Sequence, residues 1–453
     1  MIDLKKSAFT VTAALSVLFS VSLPAFAEEE TKAKTFTDEI LTYEVTNGGV
    51  RITECTDTVI ELKVQEKIDG YNIVGIADGV FAEHSSLKSV SLPDSITDMG
   101  DAVFTGCSAL KSVKLPSGMK TIPAQTFAGC SSLEEVIFPE DVTEIGSYAF
   151  SYCDDLTWLE IPQTVESIGT YSFAFSNIGE KFVIPEGVVS LDAFSFYYCD
   201  GVKSVTIPAS MVSVGSMAFL GCSSLEQYIV ETGNETYSAE YGVLYSAEKD
   251  MLVSYPNAKT GDEFNVPETV QYIAEGAFFG NENLKKITIP ESVVAFGEGV
   301  FSNCRSLKSV NIPSKVAEIT DSMFCDCYSL SEITIPDSVT YISDYAFLEC
   351  TSLKSLTVSD NVTQIGERAI GFYDDSDGKF KKIDGFTLKA NFDSAAKRYA
   401  KDNGIKIEYL DGNKNIPYII IISAVIGVVI IGIIIIVVRT IRKKKKEHEY
   451  YSN

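Results

Sequence analysis

FTGCSALKSVKLPSGMKTI, running from Phe104 to Ile122, holds the pattern that decides the fold. Leu110, Val113 and Leu115 keep an L-x-x-V-x-L spacing, whose last three residues alternate as a short strand with every second side chain turned inward. Pro116 closes that strand, where a missing N–H donor does least harm. Met119 and Ile122 supply a second inward pair, and a short turn, predicted to be helical, then carries the next phenylalanine, Phe127. The unit recurs along the chain. Phenylalanines at 81, 104, 127, 150, 173, 196 and 219, and again at 278, 301, 324 and 347, keep a step of 23 residues. Prolines from Pro93 to Pro208 and from Pro267 to Pro336 keep the same step. Each series jumps once by 59, so one repeat is 13 residues too long. A period of this length marks a solenoid, in which a unit buries its apolar face only by stacking on its neighbours.

The predicted fold is an α/β solenoid of about twelve repeats, a parallel sheet rising about 4.8 Å per repeat along one side and helical turns on the other. Segments such as Ile145-Gly146-Ser147-Tyr148-Ala149-Phe150 and Cys130-Ser131-Ser132-Leu133 resemble the I-G-x-x-A-F-x-x-C-x-S-L-x-x-V-x-I-P repeat of BspA-like leucine-rich repeat surface proteins. The resemblance spans Phe81 to Gly366 and extends less specifically to both flanks. It implies a β-rich N-terminal cap over 28–76, a repeat array over 77–383 and a strand–helix–strand cap over 384–410. Within the long repeat, 229–264, the strand-like runs Tyr241–Tyr245 and Met251–Pro256 flank a turn at 247–250 and are expected to form a projecting hairpin.

The ends of the chain read differently. Lys5 and Lys6 precede an apolar run, and Ala25-Phe26-Ala27 gives the small-x-small pattern of a cleavage site, so residues 1–27 read as a signal peptide cut between Ala27 and Glu28. Tyr418 to Val438 carries no charge, and as a helix its 21 residues rise about 31 Å, matching a hydrocarbon core. Residues 417–438 are therefore expected to span a membrane, with the basic tail 439–453 cytoplasmic and the repeats outside the cell. The formal charge is −25, to which the signal contributes +1 and the tail +4, leaving −30 between them. So acidic a body argues against nucleic acid or anionic lipid as partner.

Little in the chain points to catalysis. Only two histidines exist, His84 and His448, and no G-x-S-x-G, P-loop or H-E-x-x-H motif appears. No enzyme activity and no cofactor are expected. Eight of ten cysteines, at 107, 130, 153, 199, 222, 304, 327 and 350, fall three residues after the repeat phenylalanine. His84, Ser176, Asn281 and Tyr373 hold the same slot elsewhere, which suggests a buried ladder of reduced thiols rather than disulfides. Cys325-Asp326-Cys327 lacks a second pair at zinc spacing. Asp374-Asp375-Ser376-Asp377-Gly378 has Tyr373 where the first carboxylate of a calcium loop belongs, and reads as a solvated acidic turn.

Three repeats depart from the template together. Two residues after the phenylalanine, where Gly106, Gly129, Gly221 and Gly280 stand elsewhere, they carry Tyr152, Phe175 and Tyr198; two residues before it they carry Tyr148, Tyr171 and Phe194. In a helical turn these positions share a face, and the six rings would form two adjacent columns. Either the columns are a patch for a ligand or for self-association, or they pack as a local satellite core. The function expected is binding of an extracellular protein or glycan of a host or neighbouring cell. Adhesion to host-surface proteins is what the family resemblance implies. The alternative is a non-enzymatic spacer or receptor ectodomain that displays the hairpin.

Overall fold

The computed structural model describes residues 35–55, 59–157, 159–375 and 377–411. Three hydrogen-bonded ladders run along the stack, each in a register of 23 residues. The first joins strands such as Ser89–Ser91, Ser112–Lys114 and Glu135–Ile137, with Val90, Val113 and Val136 side by side. The second joins two-residue strands, aligning Ile122, Ile145, Ile168, Leu191 and Val214. Between the two, the proline presets the bend: the carbonyl of Pro116 accepts the Met119 N–H at 3.3 Å, and Pro162 and Val165 repeat the contact at 3.1 Å.

The third ladder replaces the expected helical turn and corrects the fold class. Ala102, Phe104 and Gly106 donate their N–H groups to the carbonyls of Ala124, Thr126 and Ala128 in the next repeat, at 2.8, 2.9 and 2.7 Å. An α-helix would send those N–H groups four residues back along its own chain. Here the residues two before and two after the phenylalanine are left-handed, Ala102 at φ 59° and Gly106 at φ 73°, which breaks the helix and turns alternate N–H groups toward the next repeat. The molecule is thus a β-solenoid and not an α/β solenoid. Among the described residues the one α-helix is Ala395–Asn403.

The core is a column of rings. Phe81 to Phe219 stack at centroid separations of 5.2 to 5.6 Å, and Tyr255 takes the phenylalanine place at the head of the second run, 5.1 Å from Phe278. The long repeat is embedded rather than projecting. Tyr237–Glu240, Val243–Ser246 and Met251–Ser254 form an antiparallel meander whose last strand joins the second ladder beside Tyr272–Ile273. Val243, Leu244 and Tyr245 are buried, while Tyr241 at the first turn and Glu248 and Asp250 at the second are exposed. The apolar core divides there into two clusters, one ending at Leu244 and one beginning at Val243.

At the N-terminal end, Thr35–Thr37, Leu41–Thr46 and Gly49–Cys55 are antiparallel, and Gly49–Cys55 runs parallel to Tyr71–Ile76. At the other end Thr387–Ala390, the helix and Lys406–Tyr409 form a β-α-β unit on Ser355–Thr357. Its helix closes the one-way turn ladder. The Tyr399 hydroxyl accepts the N–H of Ile370 at 3.0 Å and donates to its carbonyl at 3.1 Å.

The expected single-pass membrane topology is also corrected. Among the described residues no helix is long and apolar enough to cross a membrane; the nine residues of Ala395–Asn403 rise about 14 Å against a core of roughly 30 Å. The segments on which that expectation rested, namely 1–27 with the Ala27 and Glu28 cleavage point, 417–438 and 439–453, lie outside the described residues.

Candidate functional site

The turn ladder places the six aromatics in two columns. Tyr148, Tyr171 and Phe194 stack at 5.0 and 4.8 Å; Tyr152, Phe175 and Tyr198 stack at 4.7 and 5.5 Å, with interplanar angles of 4° to 21°. Their spacing comes from the rise of the solenoid, not from helical periodicity. All six sit at φ between 54° and 60°. For a non-glycine residue that region costs roughly 1–2 kcal/mol, and glycine occupies the later position in the flanking repeats.

A seventh ring joins the two columns. Tyr197 meets Tyr171, Phe175, Phe194 and Tyr198 edge-on, at 4.5 to 5.7 Å. Sequence reasoning missed it, although the signal is there: the residue after the repeat phenylalanine is Thr105, Ala128, Ser151 and Ala174 in the earlier repeats. Tyr148 is 37% exposed and the other five of the six are half-buried, so the columns are partly open to solvent. Burial raises the hydroxyl pKa of Tyr148, Tyr152, Tyr171, Tyr197 and Tyr198, and all five stay neutral at physiological pH. On the first ladder of the same region Ile137, Val183 and Ile229 stand exposed.

The second column ends at a groove. The Tyr198 ring lies across Gly221, where a Cβ would stand 2.6 Å from ring carbons. Beyond it opens a space of about 400 Å³, bordered by Tyr198, Asp200, Gly221, Asn257, Gly280 and Asn303 among others.

The cysteine slot is structural. Each ladder thiol donates to the carbonyl of the preceding repeat's phenylalanine, as Cys107 to Phe81 at 3.0 Å and Cys199 to Phe173 at 3.1 Å. Ser176 does the same to Phe150 at 2.5 Å, and Asn281 donates to Pro256 and Asn257. The slot therefore requires a small buried donor, and thiol, hydroxyl and amide all satisfy it. The eight ladder cysteines are free thiols, and burial pushes Cys107 and Cys304 up to about 12. Among the described residues no group of three or more His, Cys, Asp or Glu is placed to hold a metal ion.

Stacked 23-residue rungs with a ring column inside and a variable outer turn define a repeat scaffold whose outward positions are free to vary. The BspA type leucine rich repeat region matches this chain in six copies, over residues 65–179, 175–241 and 254–376. The chain belongs to that family. It is similar in structure to a leucine rich cell surface protein from Faecalibacterium prausnitzii A2-165, at 29% identity and TM-score 0.67, over 76% of this chain and 95% of that one. The pneumococcal vaccine antigen PcpA shares the fold at 20% identity and TM-score 0.60, over 83% of this chain and 98% of that one. Among curated proteins none matches the chain.

Proposed function

We propose that this chain is a non-enzymatic surface protein whose repeats bind a macromolecule of a host or neighbouring cell. Family membership and the similar cell surface protein of F. prausnitzii support the location. The observation that carries the binding role is the pair of aromatic columns. All six rings occupy left-handed backbone, which glycine takes at the later position in the flanking repeats, and aromatic anchors dominate binding surfaces. The test is capture of the full chain by immobilised matrix proteins, mucins and intact host cells. Saturable binding weakened by Tyr152→Gly, Phe175→Gly and Tyr198→Gly together supports the reading, and no binding across the panel overturns it. The hairpin tip, where Tyr241 is 86% exposed, favours a second reading in which the solenoid displays that tip to a partner; Tyr241→Ser would then abolish capture while the column variant would not.

A further inference from the structure

The long repeat interrupts the one-way turn ladder. On either side the residue two after the phenylalanine donates to the next rung, Tyr198 to Leu220 at 2.8 Å and Gly280 to Ser302 at 2.9 Å. The Gly221 amide between them has no such partner among the described residues, and it borders the groove of about 400 Å³. That volume lies within the roughly 300–1,000 Å³ of small-ligand sites. Two glycines line the floor. A Cβ on Gly280 would stand 3.1 Å from the Asn257 side-chain nitrogen and 3.7 Å from that of Asn303, so the missing side chain is what keeps the space between the amides open.

The lining selects the chemistry. Asp200 and Glu282 are the charged groups on the wall; the neighbouring Arg305 lies 3.8 Å from Glu282 and donates its Nε–H to Asn303 Oδ1 at 2.9 Å. Two carboxylates without a lining cation reject an anion. The metal alternative fails for want of a third ligand. A peptide strand is excluded at the break itself, because Gly276 closes on Leu220 and Met217. What remains is a set of side-chain amides, carboxylates and a hydroxyl, that of Ser223 on Asp200 at 2.9 Å, beside the aromatic residues Tyr198 and Phe279. Carboxylates accept from hydroxyl groups, amides both donate and accept, and a ring edge or face takes the C–H surface of a sugar. We propose that this groove binds a neutral saccharide unit, an inference that rests on the surface-binding reading and names the ligand class for one part of it.

The experiment titrates the full chain with chitotriose, lactose, cellotetraose and mannotriose, and with a sulfated heparin tetrasaccharide as the anionic probe, by saturation-transfer NMR and calorimetry. Gly280→Asn fills the groove with a residue that tolerates the left-handed backbone, as Asn303 does in the next repeat at φ 61°. Asn303→Gly removes one amide and relieves that backbone. At least one neutral saccharide is expected to bind, with loss in Gly280→Asn, a weakening of tenfold or more in Asn303→Gly, and a change under twofold in Ile60→Ser, an exposed side chain at the N-terminal end of the stack. Where Gly280→Asn fails to fold, Asn303→Gly decides. Binding by the sulfated probe alone, no saccharide binding, or equal binding by the groove variants overturns the inference. If the saccharides fail while matrix protein or mucin capture persists, the groove inference falls and the surface-binding reading stands. If saccharides bind and no macromolecule is captured, the reverse holds.

Discussion

Replacing Tyr152, Phe175 and Tyr198 together by glycine separates a binding surface from a satellite core. The change removes two stacked contacts and two edge contacts to Tyr197, worth about 0.5–1.5 kcal/mol each, or about 2–6 in all. Lost burial of three half-exposed rings adds about 1 kcal/mol each. Against this, three left-handed residues become glycine, which relieves roughly 1–2 kcal/mol each. At the midpoints of these ranges the difference is a net loss of about 2.5 kcal/mol, and in a chain of this size a melting temperature lower by only a few degrees. Three core ring deletions would instead cost about 3–5 kcal/mol apiece. If the column is an anchor, a single one of its rings contributes about 2 kcal/mol or more to affinity, so binding weakens by at least about 30-fold. Calorimetric melting and a binding isotherm on the captured partner, with sedimentation for self-association, read both quantities. Undiminished binding with a melting temperature lower by ten degrees or more would refute the assignment.

The other expectations concern the core, the cap and one acid. The eight ladder thiols are expected to ignore a thiol reagent in the native protein and to react once the chain is denatured without reductant, because the folded chain buries all eight sulfurs. Cys199→Ser keeps a donor to the Phe173 carbonyl, as Ser176 does for Phe150, and is expected to be milder in thermal melts than Cys199→Ala, which loses about 0.5–1.5 kcal/mol. Tyr399→Phe deprives Ile370 of both partners and is expected to cost about 1–3 kcal/mol, with hydrogen exchange rising first at the C-terminal rungs. Burial raises the Glu349 pKa, with Asp326 and Asp374 adding to it. For an acid raised in the folded state, stability falls as pH climbs from the ordinary glutamate value through the raised one. Glu349→Gln is therefore expected to raise the melting temperature at pH 7 and to give no advantage once Glu349 is protonated in both states.

Particular residues show how far the sequence could be read. The 23-residue step of Phe81 to Phe219, the inward Leu-x-x-Val-x-Leu pattern and the two columns were all legible, because in a solenoid neighbouring rungs are the same slots one period apart. The turn was misread as helical although glycine at 106, 129, 221 and 280 carried the opposite signal. Each of those glycines has φ between 71° and 77°, and a repeated positive φ excludes an α-helix. Tyr197 was passed over because one aromatic at a single position makes no column; its role exists only where two columns converge on it.

By itself the sequence determined the repeat, its register and its buried column, since identical spacing forces identical residues into contact. Tertiary structure alone decided the direction of the turn hydrogen bonds, the burial of the meander at Val243–Tyr245 and the groove between Gly221 and Gly280. Those features depend on where one rung meets the next across the 13 extra residues, and the orientation of a backbone N–H toward a residue 22 positions later is set by packing of the assembled stack, which no local pattern encodes.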